Sequence, residues 1–87
     1  MRFAFALVLM LAAGSAIAAD TYRFDKGVVA VGDGTGQVIQ RAGQPARTTV
    51  IENRNGAAIG ERWEYYVRGK TVIITFSQGK VVSIEDV

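Results

Sequence analysis

Hydrophobic positions fall into two regimes along the chain. Phe3 to Ala13 is an unbroken apolar run behind the short positive start Met1-Arg2. Gly14 and Ser15 interrupt it, and the small residues Ala16-Ile17-Ala18-Ala19 close it. From Asp20 onward the apolar residues come in short groups, mostly alternating with polar ones, which is the period of a half-buried strand. Thr21 to Phe24 and Val28 to Val31 are two such runs, with the turn-like Asp25-Lys26-Gly27 between them.

One segment breaks the period of two. Val38, Ile39 and Ala42 have helical spacing. Asp33, Gly34 and Thr35 all suit the start of a helix, and Gln37 lies three residues after Gly34, where a capping side chain reaches back. Gly43 suits the left-handed residue that ends a helix, and Pro45 prevents resumption. The spacing predicts a helix over residues 35–42. Gly36 weakens it by about 1 kcal/mol relative to alanine, so it needs an apolar surface to dock on.

The remainder reads as strand. Thr48 to Asn53 leads to Asn55-Gly56, a strong two-residue hairpin signal. Glu61 to Arg68 and Thr71 to Phe76 follow, separated by Gly69-Lys70. A primed turn there pairs Val67 with Val72, Tyr65 with Ile74 and Trp63 with Phe76, all on one face. At the last turn, a two-residue loop at Gln78-Gly79 sends Val82 and Ile84 to the wrong face. A three-residue loop, Ser77-Gln78-Gly79, puts Val82 opposite Ile74 and Ile84 opposite Val72. The fold expected is α+β and two-layered: one short helix on a three- to four-stranded antiparallel sheet. Arg62, Glu64, Tyr66 and Arg68 then point outward, and Ile73 and Val81 give that outer face an apolar streak.

The opening segment has the layout of a cleavable secretory signal peptide, residues 1–18. Ala16 and Ala18 suit a cut before Ala19, and a cut before Asp20 is the alternative. The apolar core is shorter than the roughly 20 residues a membrane span needs. Residues 19–87 form one small domain. Small exported domains commonly rely on disulfides, yet this chain has no cysteine and no histidine. Thiolate metal sites, lipidation at a cysteine and cysteine or histidine catalysis are thereby excluded. Removing Arg2 lowers the formal charge from +2 by one, and the remaining charges are mixed in sign, which argues against a nucleic-acid footprint. Gly32, Gly34 and Gly36 lack the Gly-Lys-Ser/Thr that a phosphate loop needs.

The order Val31-Gly32-Asp33, Gln37-Val38, Ala42-Gly43-Gln44-Pro45, Arg62-Trp63-Glu64-Tyr65, Phe76 and Gly79-Lys80-Val81 resembles a family of small exported bacterial proteins, domain-of-unknown-function family 2845. More distantly it is similar to the SmpA/BamE outer-membrane lipoproteins. The resemblance implies a BamE/SmpA-like helix-on-sheet fold and a soluble module of the bacterial envelope that binds other proteins. It brings no catalytic residues and no cofactor. Members of the first family carry cysteines at the positions of Phe24 and Ala42; here Phe24 is expected to pack near Ala42 instead. The expected function is a non-enzymatic interaction module, periplasmic or secreted, without a lipid anchor. Its candidate surface is Arg62, Tyr66, Arg68 and Ile73, since exposed aromatic and arginine side chains anchor protein interfaces. A carrier of a small apolar ligand between helix and sheet is the alternative.

Overall fold

The computed structural model describes residues 17–87. Most of the expected signal segment lies outside the described residues. The chain order is β1 (Ile17–Ala19), β2 (Thr21–Phe24), β3 (Gly27–Ala30), α1 (Thr35–Ala42), β4 (Arg47–Glu52), β5 (Ala58–Val67), β6 (Lys70–Ser77) and β7 (Lys80–Asp86). Strands β4 to β7 form an antiparallel meander, and β1 joins its far edge, giving a five-stranded sheet in the order β1-β7-β6-β5-β4. Strands β2 and β3 form a separate hairpin. This corrects the α+β expectation. The protein is mostly β, with a five-stranded and a two-stranded sheet and one short helix among the described residues.

The correction has a physical reason. The helix has eight residues and a narrow apolar stripe, too little to cover the inner face of the sheet. The β2–β3 hairpin supplies the rest of the cover. Phe24 and Val29 of the hairpin and Val38 of α1 are buried with Trp63, Tyr65, Val72, Ile74, Phe76, Val81 and Ile84 of the large sheet. The aromatic rings interlock: Phe24 meets Tyr65 edge-on at 5.2 Å, and Trp63 lies 4.4 Å from Phe76. Such pairs add about 0.5–1.5 kcal/mol beyond their area.

The helix forms where its spacing predicts it. Gly34 is the N-cap, and its N–H donates to Gln37 Oε1 at 2.9 Å. Only this half of a capping box exists, because glycine has no side chain to return the bond. Gly43 closes the helix at φ 83°, with its N–H on the Ile39 carbonyl.

The turns differ from expectation in register. The β5–β6 turn is Arg68-Gly69, with φ of 51° and 80°, and not Gly69-Lys70. Tyr65 therefore faces Val72 and Trp63 faces Ile74. This is a slip of two residues, which preserves the faces. The β6–β7 turn is the two-residue Gln78-Gly79, and Ser77 pairs with Lys80. A bulge then inserts Val82, so that Ile84 stays on the inner face but pairs with Ile74 and not with Val72 as expected. Val81 is buried and Val82 is half exposed, the reverse of the expected pattern. At Asn55-Gly56 the loop has three residues, Arg54 to Gly56. Asn53 N–H donates to the Ala57 carbonyl, and Asn53 Oδ1 accepts from Asn55 and Ala57.

Among the described residues no helix is long and apolar enough to cross a membrane.

Candidate functional site

Alternation along β5 and β6 decides which side chains leave the core. Trp63 and Tyr65 point inward, so Arg62, Glu64 and Tyr66 between them point outward. Val72, Ile74 and Phe76 point inward, so Thr71, Ile73 and Thr75 point outward. No described element lies over this outer face, because hairpin and helix both sit on the inner one. The register makes two rows across it. One runs Arg47–Glu64–Ile73–Glu85–Ala18, and the next Thr49–Arg62–Thr75–Ser83. Tyr66 stands opposite Thr71 at one end and is 65% exposed. Its hydroxyl approaches Glu64 Oε1 at 3.4 Å, at the limit of a hydrogen bond. Ile73 is half-buried among polar neighbours.

Three of the four expected surface residues, Arg62, Tyr66 and Ile73, share this face. Arg68 does not. As the first residue of a two-residue turn it leaves the alternation of β5, and its guanidinium donates to the Arg23 carbonyl at 3.2 Å. It also lies 3.8 Å from Asp25. Arg68 thus straps the β2–β3 hairpin to the end of the large sheet. Val81, expected on the outer streak, is in the core through the bulge at Val82. Arg47, Thr49 and Ser83 complete the face. The strand signal at Thr48 to Asn53 was visible, yet nothing local fixed its register on β5.

The space between helix and sheet is filled by side chains, Val38, Val29 and Ile74 being fully buried. Open clefts lie at the rims. One, of about 440 Å³, sits between the β2–β3 turn, the end of α1 and the end of β5, and both Phe24 and Ala42 line it. Tyr65 forms its floor, and its hydroxyl donates to the Gly43 carbonyl at 2.9 Å. Burial pushes the Tyr65 phenol up to about 12. A second cleft, of about 500 Å³, lies between the start of β5 and the β6–β7 turn.

A polar knot joins the hairpin, the helix and β7. Asp33 Oδ2 accepts from the Ala30 N–H at 2.9 Å and from Arg41 at 3.3 Å. The backbone of the same loop bonds β7, Gly32 N–H to the Val81 carbonyl and Val81 N–H to the Asp33 carbonyl. Among the described residues no three acidic side chains gather as a metal site would need. Comparison with protein-family models, with curated proteins and with solved structures gave no match.

Proposed function

We propose that this chain is an exported, non-enzymatic protein-binding module of the bacterial envelope, and that its contact surface is the outer sheet face around Arg62, Tyr66 and Ile73. One observation carries the reading: a large aromatic side chain, Tyr66, stands 65% exposed on a sheet face that no described element covers. Tyrosine anchors interfaces because it offers a large contact area with few rotatable bonds, and arginine because its planar guanidinium offers several donors. Ile73 supplies the apolar centre, and Arg47, Arg62, Glu64 and Glu85 supply a rim of both signs. A periplasmic or secreted location follows from the signal segment, and kinship with the small exported bacterial family follows from the motifs around Gly32-Asp33 and Trp63.

The test uses the processed chain with Tyr66→Ser and Ile73→Ser together. Captured envelope proteins are quantified against the parent chain by mass spectrometry, with far-UV circular dichroism confirming the fold. Partners that depend on this face fall at least tenfold, in keeping with loss of an anchor worth about 2 kcal/mol. Equal recovery of the same partners places the contact surface elsewhere.

A further inference from the structure

We propose that strand β4 is a dimerisation edge: a second copy of this chain pairs with it, antiparallel, about a two-fold axis at Val50. The two edges of the large sheet are not alike. On the β7 side, the Gly32–Gly34 loop bonds Val81 and bridges Lys80 in the processed chain as in the full one, and β1 lies along Ile84 to Asp86 until the expected cut removes Ile17 and Ala18. On the β4 side no described element follows, and Arg47 to Val50 are all exposed. Natural edge strands are blunted by charged side chains, lysine above all, and by proline, bulges or shortness. Arg47-Thr48-Thr49-Val50-Ile51-Glu52 has six residues with neither lysine nor proline, and its charges stand only at the two ends. Its one ladder irregularity places the extra residue, Ile59, on β5, leaving the β4 edge regular. Four of the six are β-branched.

The backbone fixes which groups are on offer. Asn53 donates to the Ala57 carbonyl, so the ladder alternates from there, and Ile51, Thr49 and Arg47 turn their N–H and C=O groups toward β5. Thr48, Val50 and Glu52 turn theirs outward, where no described group meets them. An antiparallel partner must place outward-facing residues opposite outward-facing ones, which limits a symmetric pairing to alternate registers.

Among these, one register matches the strand to itself. With Val50 opposite Val50 of the second copy, Thr48 faces Glu52 and Thr49 faces Ile51. About six backbone hydrogen bonds form. No like charges meet, and the Val50 side chain, 54% exposed in the single chain, is covered by its own copy. Sliding by two residues sets Ile51 against Arg47 in one direction and Val50 against Glu52 in the other. Both bury an aliphatic against a charge. A C2 interface must be self-complementary, and this strand is so at one register. In the processed chain, which has lost Ile17 and Ala18 of β1, the product is one continuous sheet through β4 to β7 of both copies, with the two outer faces on the same side.

Sedimentation velocity on the processed chain, from micromolar to millimolar concentration, reads the dimer directly. Val50→Lys sets like charge on like at the axis, on a side chain that is exposed in the monomer, and is expected to weaken association by about tenfold or more. Amide exchange on the unaltered protein gives an independent readout. Thr48, Val50 and Glu52 are slowed in the dimer and released on dilution, while Thr49 and Ile51 stay protected throughout. A monomer at millimolar concentration, a dimer untouched by Val50→Lys, or protection without this alternation each overturns the proposal.

Discussion

Two glycines test the backbone geometry with opposite signs. At Gly60, β5 passes so close to β6 that an added Cβ collides with the Phe76 carbonyl oxygen. That oxygen is main chain and cannot rotate away. Gly60→Ala must therefore push β5 off β6 beside the Glu61–Phe76 pair, next to the Trp63–Phe76 contact in the core. Overpacking of this kind costs about 1–3 kcal/mol. The loss of freedom in the unfolded chain offsets roughly 0.4–1 kcal/mol of it, leaving about 1–2 kcal/mol of destabilisation. At Gly36 nothing lies within 4 Å of the added carbon. The residue is exposed in the first turn of the helix, so Gly36→Ala gains about 0.5 kcal/mol from helix propensity.

Thermal and urea unfolding of the processed chain, followed by far-UV circular dichroism, separates the two. For a domain of this size each kcal/mol moves Tm by roughly 4–8 °C. Gly60→Ala is expected to lower Tm by roughly 5–15 °C and Gly36→Ala to raise it by a few degrees, with unchanged m-values. If Gly60→Ala unfolds within about 0.5 kcal/mol of the parent, the close approach of β5 to Phe76 is wrong, and with it the start of that strand.

Three further outcomes follow from single contacts. Tyr65→Phe removes the hydrogen bond to the Gly43 carbonyl and costs about 1 kcal/mol. With Tyr65 titrating at about 12 when folded and near 10 when unfolded, the unfolded state loses its proton first. Stability is full below pH 10 and falls as pH rises toward 12, by on the order of 2 kcal/mol in total. This slope is absent in Tyr65→Phe, as alkaline unfolding curves of the two proteins will record. Asp33→Ala frees the Ala30 N–H and leaves the Arg41 guanidinium its bond to the Val28 carbonyl alone, and is expected to cost about 1–3 kcal/mol, with Asp33→Asn milder, measured by the same urea curves. A chain begun at Asp20 lacks β1, and its Ile84 and Asp86 amides exchange faster than in one begun at Ile17, whereas Val81, held by the Asp33 carbonyl, does not change.

What the sequence made legible is what short-range chemistry decides. The helix is specified within its own nine or ten residues: a cap, a three-residue reach from Gln37, an apolar stripe, and a glycine that stops it. The faces of β5 and β6 were legible too, because alternation is insensitive to a slip of two. Three features escaped. Arg68 at φ 51° is a non-glycine residue in a glycine-type conformation, so composition points to the turn one residue late and places Arg68 on a face it does not join. The bulge at Val82 lets a two-residue loop keep Ile84 inside, an option that strict alternation forbids. The second sheet was visible as two short strands, but nothing within Thr21 to Val31 says whether that hairpin extends the large sheet or lies across it.

That last ambiguity is settled by area, and it bears on the candidate surface. An eight-residue helix exposes one stripe, whereas β5, β6 and β7 present eight buried or partly buried apolar side chains on the inner face. Adding β2 and β3 to an edge of the sheet would leave most of that face in water. Laying the hairpin across it lets Phe24 and Val29 bury against Tyr65 and its neighbours, and Arg68 and Asp33 then fasten the two ends. With the described helix and hairpin both spent on the inner face, no described element remains for the outer one, and its rows of threonine, serine and charge around a single Ile73 tolerate water without cover. The open outer face is thus a consequence of laying both the helix and the hairpin on the inner one, and Tyr66 and Arg62 of the proposed contact surface sit where solvation alone would accept many other residues.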